Sequence, residues 1–424
     1  FKQKTAYEIS LGLVGSEMCI RDRGYTMSDI LQHTIYMDYA ATTPVDPVVL
    51  EAMSNFFVAD YGNPSSMYSL GQEGRKALDE ARERIAKVLN SRTGEIVFTS
   101  GGTESDNSAL LGSALALREH GQHIITSSVE HHAVLHAASL LEELGFEVTY
   151  LPVDNNGFIN VNTVAESITN NTTVVSVMLA NNEVGTIQPV AEIAEIVKSK
   201  AQRIGHPIVM HTDAVQAAGF LDLNVQQLGV DMLSLSAHKF HGPKGVGLLF
   251  IKRGTPFRPI HVGGSQERDR RAGTENVAGI VGMSVALELS NIQRNELTSH
   301  TLALRNKIIT SLFERLDGIK LNGPLDFRLP NNVNVSIEGI EAEPLLLGLD
   351  LAGIAASSGS ACTAASLEPS HVLLAMGLPE SVASSSLRLS LGQENTTEEI
   401  DYTVNVIVEL VNRLRLINNA RKVR

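Results

Sequence analysis

The chain has 424 residues, of which 43% are hydrophobic and 19% charged, with 34 glycines and a formal net charge of −13. That length suits two α/β domains better than one small core, and the acidic balance argues against nucleic-acid or anionic-membrane partners. No apolar run reaches the roughly 18–20 residues that a bilayer crossing needs, and two cysteines exclude a disulfide framework and CxxC-type zinc sites.

Residues 1–26 differ in style from the rest of the chain. Glu8, Glu17 and Asp22 break any signal-peptide or presequence pattern. The stretch resembles translated sequencing-adapter DNA and is read as a non-native extension, with Met27 as the start. Cys19 falls inside it, which leaves Cys362 as the native cysteine. From Asp46 to Ser290 short β-branched runs alternate with helical stretches. Candidate strands cover 95–99, 123–129, 147–151, 174–179, 207–211, 232–236 and 246–251. A helix over 73–89 sets Leu78, Ala81, Ile85 and Leu89 on one face, and another covers 190–201. This alternation predicts an α/β fold with a mainly parallel seven-stranded sheet covered by helices on both faces. A long helical region spans 277–316; beyond it 332–337 and 387–391 alternate like half-exposed strands and 398–416 reads as a closing helix. The expected division is a large domain over 46–294 and a smaller α+β domain formed by 27–45 and 295–424.

Within this frame, Lys239 stands in SLSAHKFHGPKG (234–245), after a strand and before a Gly/Pro-rich turn. Partial desolvation lowers an amine's pKa and makes it a usable nucleophile, although an isolated lysine more often snorkels to solvent. Asp213, in HTDAVQ (211–216), ends the preceding strand and so points into the crevice where open α/β sheets bind ligands. A lysine to hold an aldehyde and a carboxylate for a pyridinium nitrogen form the pair that pyridoxal phosphate requires. A phosphate site then belongs at SGGTES (100–105), between a strand and the helix expected over 107–117. Its glycines, Gly102 included, admit close backbone approach, helical N–H groups attract an anion, and Thr103 adds a hydroxyl. A plain turn capped by Thr103 or Ser105 is the alternative. Ser236 and His238 offer further donors.

His131 and His132 follow another strand end. Neighbouring residues do not face the same way on a strand or a helix, so a two-histidine zinc site is disfavoured against one ring, His131, stacked on a planar cofactor and able to shuttle protons. In SSGSACTAAS (357–366) only small residues flank Cys362. The run reads as a mobile loop with an accessible, nucleophilic thiol; a small buried cysteine is the alternative.

Several stretches together resemble a known family: DYAATTP (38–44), GNPSS (62–66), SGGTES (100–105), EHHAVL (130–135), NNEVGTIQP (181–189), DAVQ (213–216), SAHKFHGPKGVG (236–247), GGSQERDRRAGTEN (263–276), SSGSACTAASLEPSHVL (357–373) and SSLRLSLG (385–392). In this order, over residues 35–408, they are similar to the cysteine desulfurases of the NifS/IscS group, in its long-loop class. The resemblance implies a fold-type-I pyridoxal phosphate enzyme that converts L-cysteine to L-alanine and carries the sulfur on Cys362 as a persulfide. It implies that Lys239 bonds the coenzyme, Asp213 meets its ring nitrogen, Gln216 its ring oxygen, and His131 its face. Gly102, Thr103, Ser236 and His238 would hold the phosphate, with Thr274 reaching in from the partner subunit of a homodimer. Asn182, close to the ring, and Arg388 would bind the substrate carboxylate. A cytoplasmic enzyme without a bound metal, handing sulfur to an acceptor such as an iron–sulfur scaffold, completes what the resemblance implies. Tyr68 and Gln393 depart from the family pattern, where histidine and arginine are usual. Another pyridoxal phosphate enzyme (an aminotransferase or a selenocysteine-preferring lyase), a silent sulfur-carrier protein and a His131/His132 metallohydrolase are the competing readings.

Overall fold

The computed structural model describes residues 34–358 and 369–422, so the 1–26 extension and Cys362 lie outside the described residues. In chain order the elements are β1 (Ile35–Tyr36), α1 (Pro47–Val58), α2 (Ser69–Leu89), β2 (Ile96–Thr99), α3 (Gly102–Ala116), β3 (His123–Ser127), α4 (His132–Glu143) and β4 (Glu147–Leu151). There follow α5 (Val161–Ser167), β5 (Thr172–Ser176), α6 (Val190–Ile204), β6 (Val209–Asp213), α7 (Val225–Leu228), β7 (Met232–Ser236) and β8 (Gly247–Ile251). The last group is α8 (Val277–Arg315), β9 (Ile319–Leu321), β10 (Asn332–Ile337), α9 (Ala342–Leu351), β11 (Ile354–Ala355), α10 (His371–Ala375), α11 (Glu380–Ala383), β12 (Ser386–Ser390) and α12 (Thr397–Lys422).

The seven strands expected between residues 95 and 251 form one sheet in the order β2-β8-β7-β6-β5-β3-β4. Pairs from β4 to β7 are parallel, whereas β8 runs antiparallel to both β7 and β2. Successive strand residues point to opposite faces, and both faces are apolar here. Val97, Ile124, Val174, Val209, Met232 and Leu249 pack under α3 and α4. Phe98, Ile125, Val175, Met210, Leu233 and Leu248 pack beneath α2, α6 and the start of α8. A sheet buried on both faces reads as continuous β-branched runs, which is why these strands were legible.

A second core gathers the three-stranded sheet β12-β10-β9 with α9, α12, Met37 and the later turns of α8. The 39 residues of α8 extend about 58 Å at roughly 1.5 Å per residue. Val277 to Leu287 face the first core, and Leu304, Ile308 and Leu312 face the second. We propose on this ground that the chain changes domain within α8, and that the described residues 34–45 belong with the smaller unit, since β1 pairs with β11.

The segment around residue 267 is pinned by a buried ion pair. Arg82, on α2, reaches the Glu267 carboxylate and donates to the Ile96 carbonyl at 2.8 Å. The second Glu267 oxygen accepts the Phe98 N–H at 3.0 Å, and the guanidinium lies 4.6 Å from the Phe98 ring centroid. Glu267, Arg268 and Asp269 all have positive φ (46°, 58° and 63°), a conformation that non-glycine residues hold only where their surroundings impose it. Glu267→Ala leaves the guanidinium buried without its carboxylate, and urea denaturation is expected to show a loss of about 3–5 kcal/mol; a loss too small to measure contradicts this account.

Candidate active site

The carboxyl ends of β6 and β7 open on a cavity of about 380 Å³, lined by Gly102, Thr103, Asp106, His131, Asn182, Asp213, Gln216, Ser236, His238, Lys239 and Arg388 among others. Open α/β sheets leave such a crevice outside their strand ends. The register that sets Asp213 opposite Ser234 brings the last residue of β6 close to the 3₁₀ turn Ala237–Lys239 that continues β7.

Each polar group is held by neighbours that the fold supplies. Lys239 Nζ donates to the carbonyls of Ala40 at 2.6 Å and Ala41 at 2.8 Å. Gln216 Nε2 donates to the same Ala40 carbonyl at 2.9 Å. Residues 40–43 thus close one side of the cavity, and the Thr43 N–H donates to the His238 carbonyl at 2.9 Å. Asp213 Oδ1 accepts the Val215 N–H at 2.8 Å. Burial pushes the Asp213 carboxyl up to about 6, while that hydrogen bond and the Lys239 ammonium pull it down, so it is an anion at neutral pH.

At the N-terminus of α3 no side chain caps the helix at Gly101. A Cβ on Gly102 would lie 2.9 Å from Val215 Cγ2, and one on Gly247 would lie 2.6 Å from Gly101 Cα. Those two glycines let the turn sit against β8 and Val215, and the uncapped first turn of a helix is a place an anion can take. Thr103, Ser236 and His238 line the same space. The helix starts at Gly102, five residues before the expected 107, because the glycines and polar residues of the turn carry no apolar periodicity.

His131 caps α4, its Nδ1 accepting the Ala133 N–H at 3.1 Å. In the neutral ring the proton is therefore on Nε2. Burial, reinforced by the Lys239 ammonium, lowers its pKa to about 4. His132 lines the cavity too and packs edge-on to His371, with centroids 4.7 Å apart, and to His136 at 5.1 Å. Arg388, on β12 and 1% exposed, comes from the smaller sheet. It donates to the Asn182 carbonyl at 3.1 Å and pairs with Asp38 at 2.8 Å.

Ten of the residues singled out from the sequence thus line one cavity. Thr274 does not; it is exposed and absent from the lining. Cys362 lies outside the described residues. The sequence reading missed Asp38, Asp106, Glu183 and His371. Of these, Asp106, Glu183 and His371 line the cavity and Asp38 holds Arg388. The one available signal was for Asp106, a carboxyl on the inner face of α3 in register with Ala109, Leu110 and Ser113.

The class-V aminotransferase family matches residues 35–403. A "Cysteine desulfurase IscS" of Clostridium botulinum is 52% identical over 383 residues, covering 90% of this chain and 95% of the relative. The chain belongs to the class-V aminotransferases, among their cysteine desulfurases. A solved "NIFS-LIKE PROTEIN" superposes on this class-V aminotransferase with a TM-score of 0.84 at 41% identity, covering 89% of this chain and 99% of that one. Another, "SspA in complex with cysteine", gives 0.74 at 36% identity, covering 86% and 100%.

The lowered pKa of His131 gives a direct check. An unfolded histidine takes up its proton near 6.5, whereas folded His131 does so at about 4. The native protein therefore binds fewer protons in that interval, and this group's contribution to stability, complete above 6.5, is lost as the pH falls toward 4. The His131 Cε1-proton resonance, assigned by its absence in His131→Gln, is expected to keep its neutral position down to about pH 5. A midpoint near 6.5 would show the ring to be solvated.

Proposed function

We propose that this class-V aminotransferase converts L-cysteine into L-alanine, using pyridoxal phosphate bound at Lys239 and leaving the sulfur on Cys362 as a persulfide. The observation that carries the reading is the convergence in one cavity of Lys239, the buried Asp213 carboxylate, the neutral His131 ring, the uncapped turn at Gly102 and the Arg388 guanidinium. These residues fit the coenzyme. Asp213 has one oxygen on Val215 and none of its hydrogen bonds among the described residues uses the other. The Gly102 cradle has no room for a side chain.

When bound, pyridoxal phosphate supplies electron withdrawal from the substrate's Cα, which weakens its Cα–H bond and then its Cβ–S bond. The chain's own groups do the rest. Arg388, fixed by Asp38 and the Asn182 carbonyl, presents a guanidinium to the substrate carboxylate, with Asn182 beside it. Lys239 Nζ, positioned by the Ala40 and Ala41 carbonyls, would accept the Cα proton. His131 Nε2, which carries the proton of the neutral ring, donates a hydrogen bond on the substrate sulfur side. Thr103, Ser236 and His238 hold the phosphate end. The Cys362 thiolate attacks the substrate sulfur: a new S–S bond forms, the Cβ–S bond breaks, and the electron pair returns to carbon.

The cysteine bound in the SspA neighbour supports the substrate. A homodimer is part of the proposal, with Thr274 serving the neighbouring subunit's phosphate site. The exposed Val48, Leu50, Phe57, Val58, Tyr61 and Met67 support an apolar contact surface. A sulfur-accepting partner such as an iron–sulfur scaffold, and a cytoplasmic setting, complete the reading.

Incubation with L-cysteine, followed by peptide mass measurement, is expected to add one sulfur atom to the Cys362 peptide and release alanine; Cys362→Ala should retain the coenzyme's visible absorbance yet release no sulfide. An aminotransferase would keep its turnover in that variant. Arg388→Ala should raise the KM for cysteine on the order of a hundredfold, the cost of removing one partner of a buried charge pair, with the absorbance of the bound coenzyme unchanged.

A further inference from the structure

At the end of the large sheet away from Lys239 lies a second cavity, of about 520 Å³, which the desulfuration chemistry does not use. Strand β8 runs antiparallel to β7, so its last residue, Ile251, stands opposite Met232 at the start of β7, whereas Gly247 stands opposite Ser236. Four residue steps, roughly 13 Å along the strand, separate the two ends.

The wall of this cavity carries Arg92, Lys252, Arg253 and Arg270 against one carboxylate, Glu95, in a chain whose net charge is −13. Glu95 is buried and both its oxygens are engaged by backbone: Oε1 accepts the Arg253 N–H and Oε2 the Arg92 N–H, each at 2.8 Å. That carboxylate ties two segments together through main chain and leaves the Arg92 and Arg253 guanidinium groups without an ion pair among the described residues. Lys252 reaches Asp231 at 3.5 Å. Glu267, the other buried acid nearby, is taken up by Arg82 and the Phe98 N–H.

The cations are held on fixed segments. Arg268 donates to the Thr93 carbonyl at 3.2 Å and Arg270 to the Gly94 carbonyl, which draws the 267–269 turn, with its three positive φ angles, against residues 92–95. The Lys252 N–H donates to the Asp231 carbonyl at 2.9 Å, and the Arg258 N–H to the Gly112 carbonyl at 3.0 Å. The Phe257 ring is seated on Gly112, where a Cβ would lie 2.5 Å from it, and gives the cavity an aromatic wall. Like charges gathered in this way repel one another, and a bound anion offsets that repulsion. One guanidinium fork fills a carboxylate, whereas a chain of phosphates presents oxygens to several forks at once. The volume is that of a small-molecule site and exceeds the 380 Å³ beside Lys239.

We propose that this cavity binds a small molecule carrying a chain of phosphates, held by Arg92, Arg253 and Arg270. The site is separate from the one assigned to pyridoxal phosphate and does not depend on that assignment.

The test is a calorimetric titration of the full-length protein, loaded with pyridoxal phosphate and freed of excess, at about 0.15 M salt. Inorganic triphosphate and ATP serve as separate probes, and saturable binding at one per chain is expected. Equal affinities would identify the phosphate chain as the whole ligand, and tighter binding of ATP would add its base; both results support the proposal. Arg92→Gln and Arg253→Gln should each weaken binding about ten- to a hundredfold, the worth of a hydrogen bond between charged groups. Arg253→Lys should weaken it too, because an ammonium lacks the fork. Lys198→Gln, on the exposed face of α6, removes the same charge elsewhere and should leave the affinity unchanged. The visible absorbance of the bound coenzyme, the same in all variants, reports an intact fold. Binding of neither probe would overturn the proposal. So would equal losses in Lys198→Gln and Arg253→Gln, or wild-type affinity in Arg253→Lys, since diffuse attraction by surface charge accounts for both.

Discussion

Asp213 ends β6 and Lys239 follows β7 by a single 3₁₀ turn, and the parallel pairing of those strands fixes how far apart the carboxylate and the ammonium can be. Both sit where water is scarce, so their mutual attraction is screened far less than it would be on the surface. Asp213 is kept low against its burial by the Val215 N–H and by the Lys239 ammonium, and Lys239 is held by the Ala40 and Ala41 carbonyls from a segment distant in sequence. Moving either strand by one residue would send its side chain to the opposite face of the sheet. The register is protected by the apolar residues that alternate along both strands, each sealed on one of the two faces of the large sheet. Packing energy is thereby converted into the placement of two charges.

The site is also the seam between the two cores. Residues 38–43 pair with the smaller sheet at Asp38 and then reach Lys239, His238 and Gln216 of the larger one. Arg388 travels the other way, from β12 to the Asn182 carbonyl. Its partner Asp38 is a β-bridge neighbour of the same strand, opposite Ser390. The guanidinium is thus aligned by the backbone of both units, and any shift of one relative to the other alters the carboxylate site before it alters the Asp213–Lys239 pair. The continuous helix α8, anchored in both cores, opposes such a shift.

Much of this was legible because a doubly covered parallel sheet writes itself as β-branched runs, and all seven runs proved to be strands. Strand direction was not legible: the composition of 246–251 says nothing about its being antiparallel to its neighbours. Strands β1 and β11 have two residues each and leave no periodic trace. Lys239, Asp213 and His131 were found because strand ends in open sheets are where ligands bind, a positional rule that needs only the strand to be recognised. Asp38, Glu183 and His371 obey no such rule. Their roles come from contacts across 350, 187 and 241 residues of chain, to Arg388, Ser370 and the Glu130 carbonyl, and only tertiary packing sets those.

Three buried carboxyls, Asp106, Glu183 and Asp213, line a cavity that offers two fixed cations, Lys239 and Arg388, among the described residues, and a fourth, Glu130, is buried next to His131 in the chain. Were all four ionised, the crevice would repel the phosphate that the turn at Gly102 is shaped to take. Burial resolves the conflict unevenly. It raises Glu130 to about 8 and pushes Asp106 and Glu183 upward, whereas Asp213, at about 6, has the Val215 N–H and the nearby ammonium in its favour. Burial thus works most strongly against the charges of Asp106 and Glu130, whereas the Val215 N–H and the lysine hold the Asp213 carboxyl lower. An anionic coenzyme then enters a cavity whose negative charge is concentrated at the place where a protonated ring nitrogen must bind, and the desolvation that would be a cost for a surface carboxylate becomes the means of selecting which acid speaks.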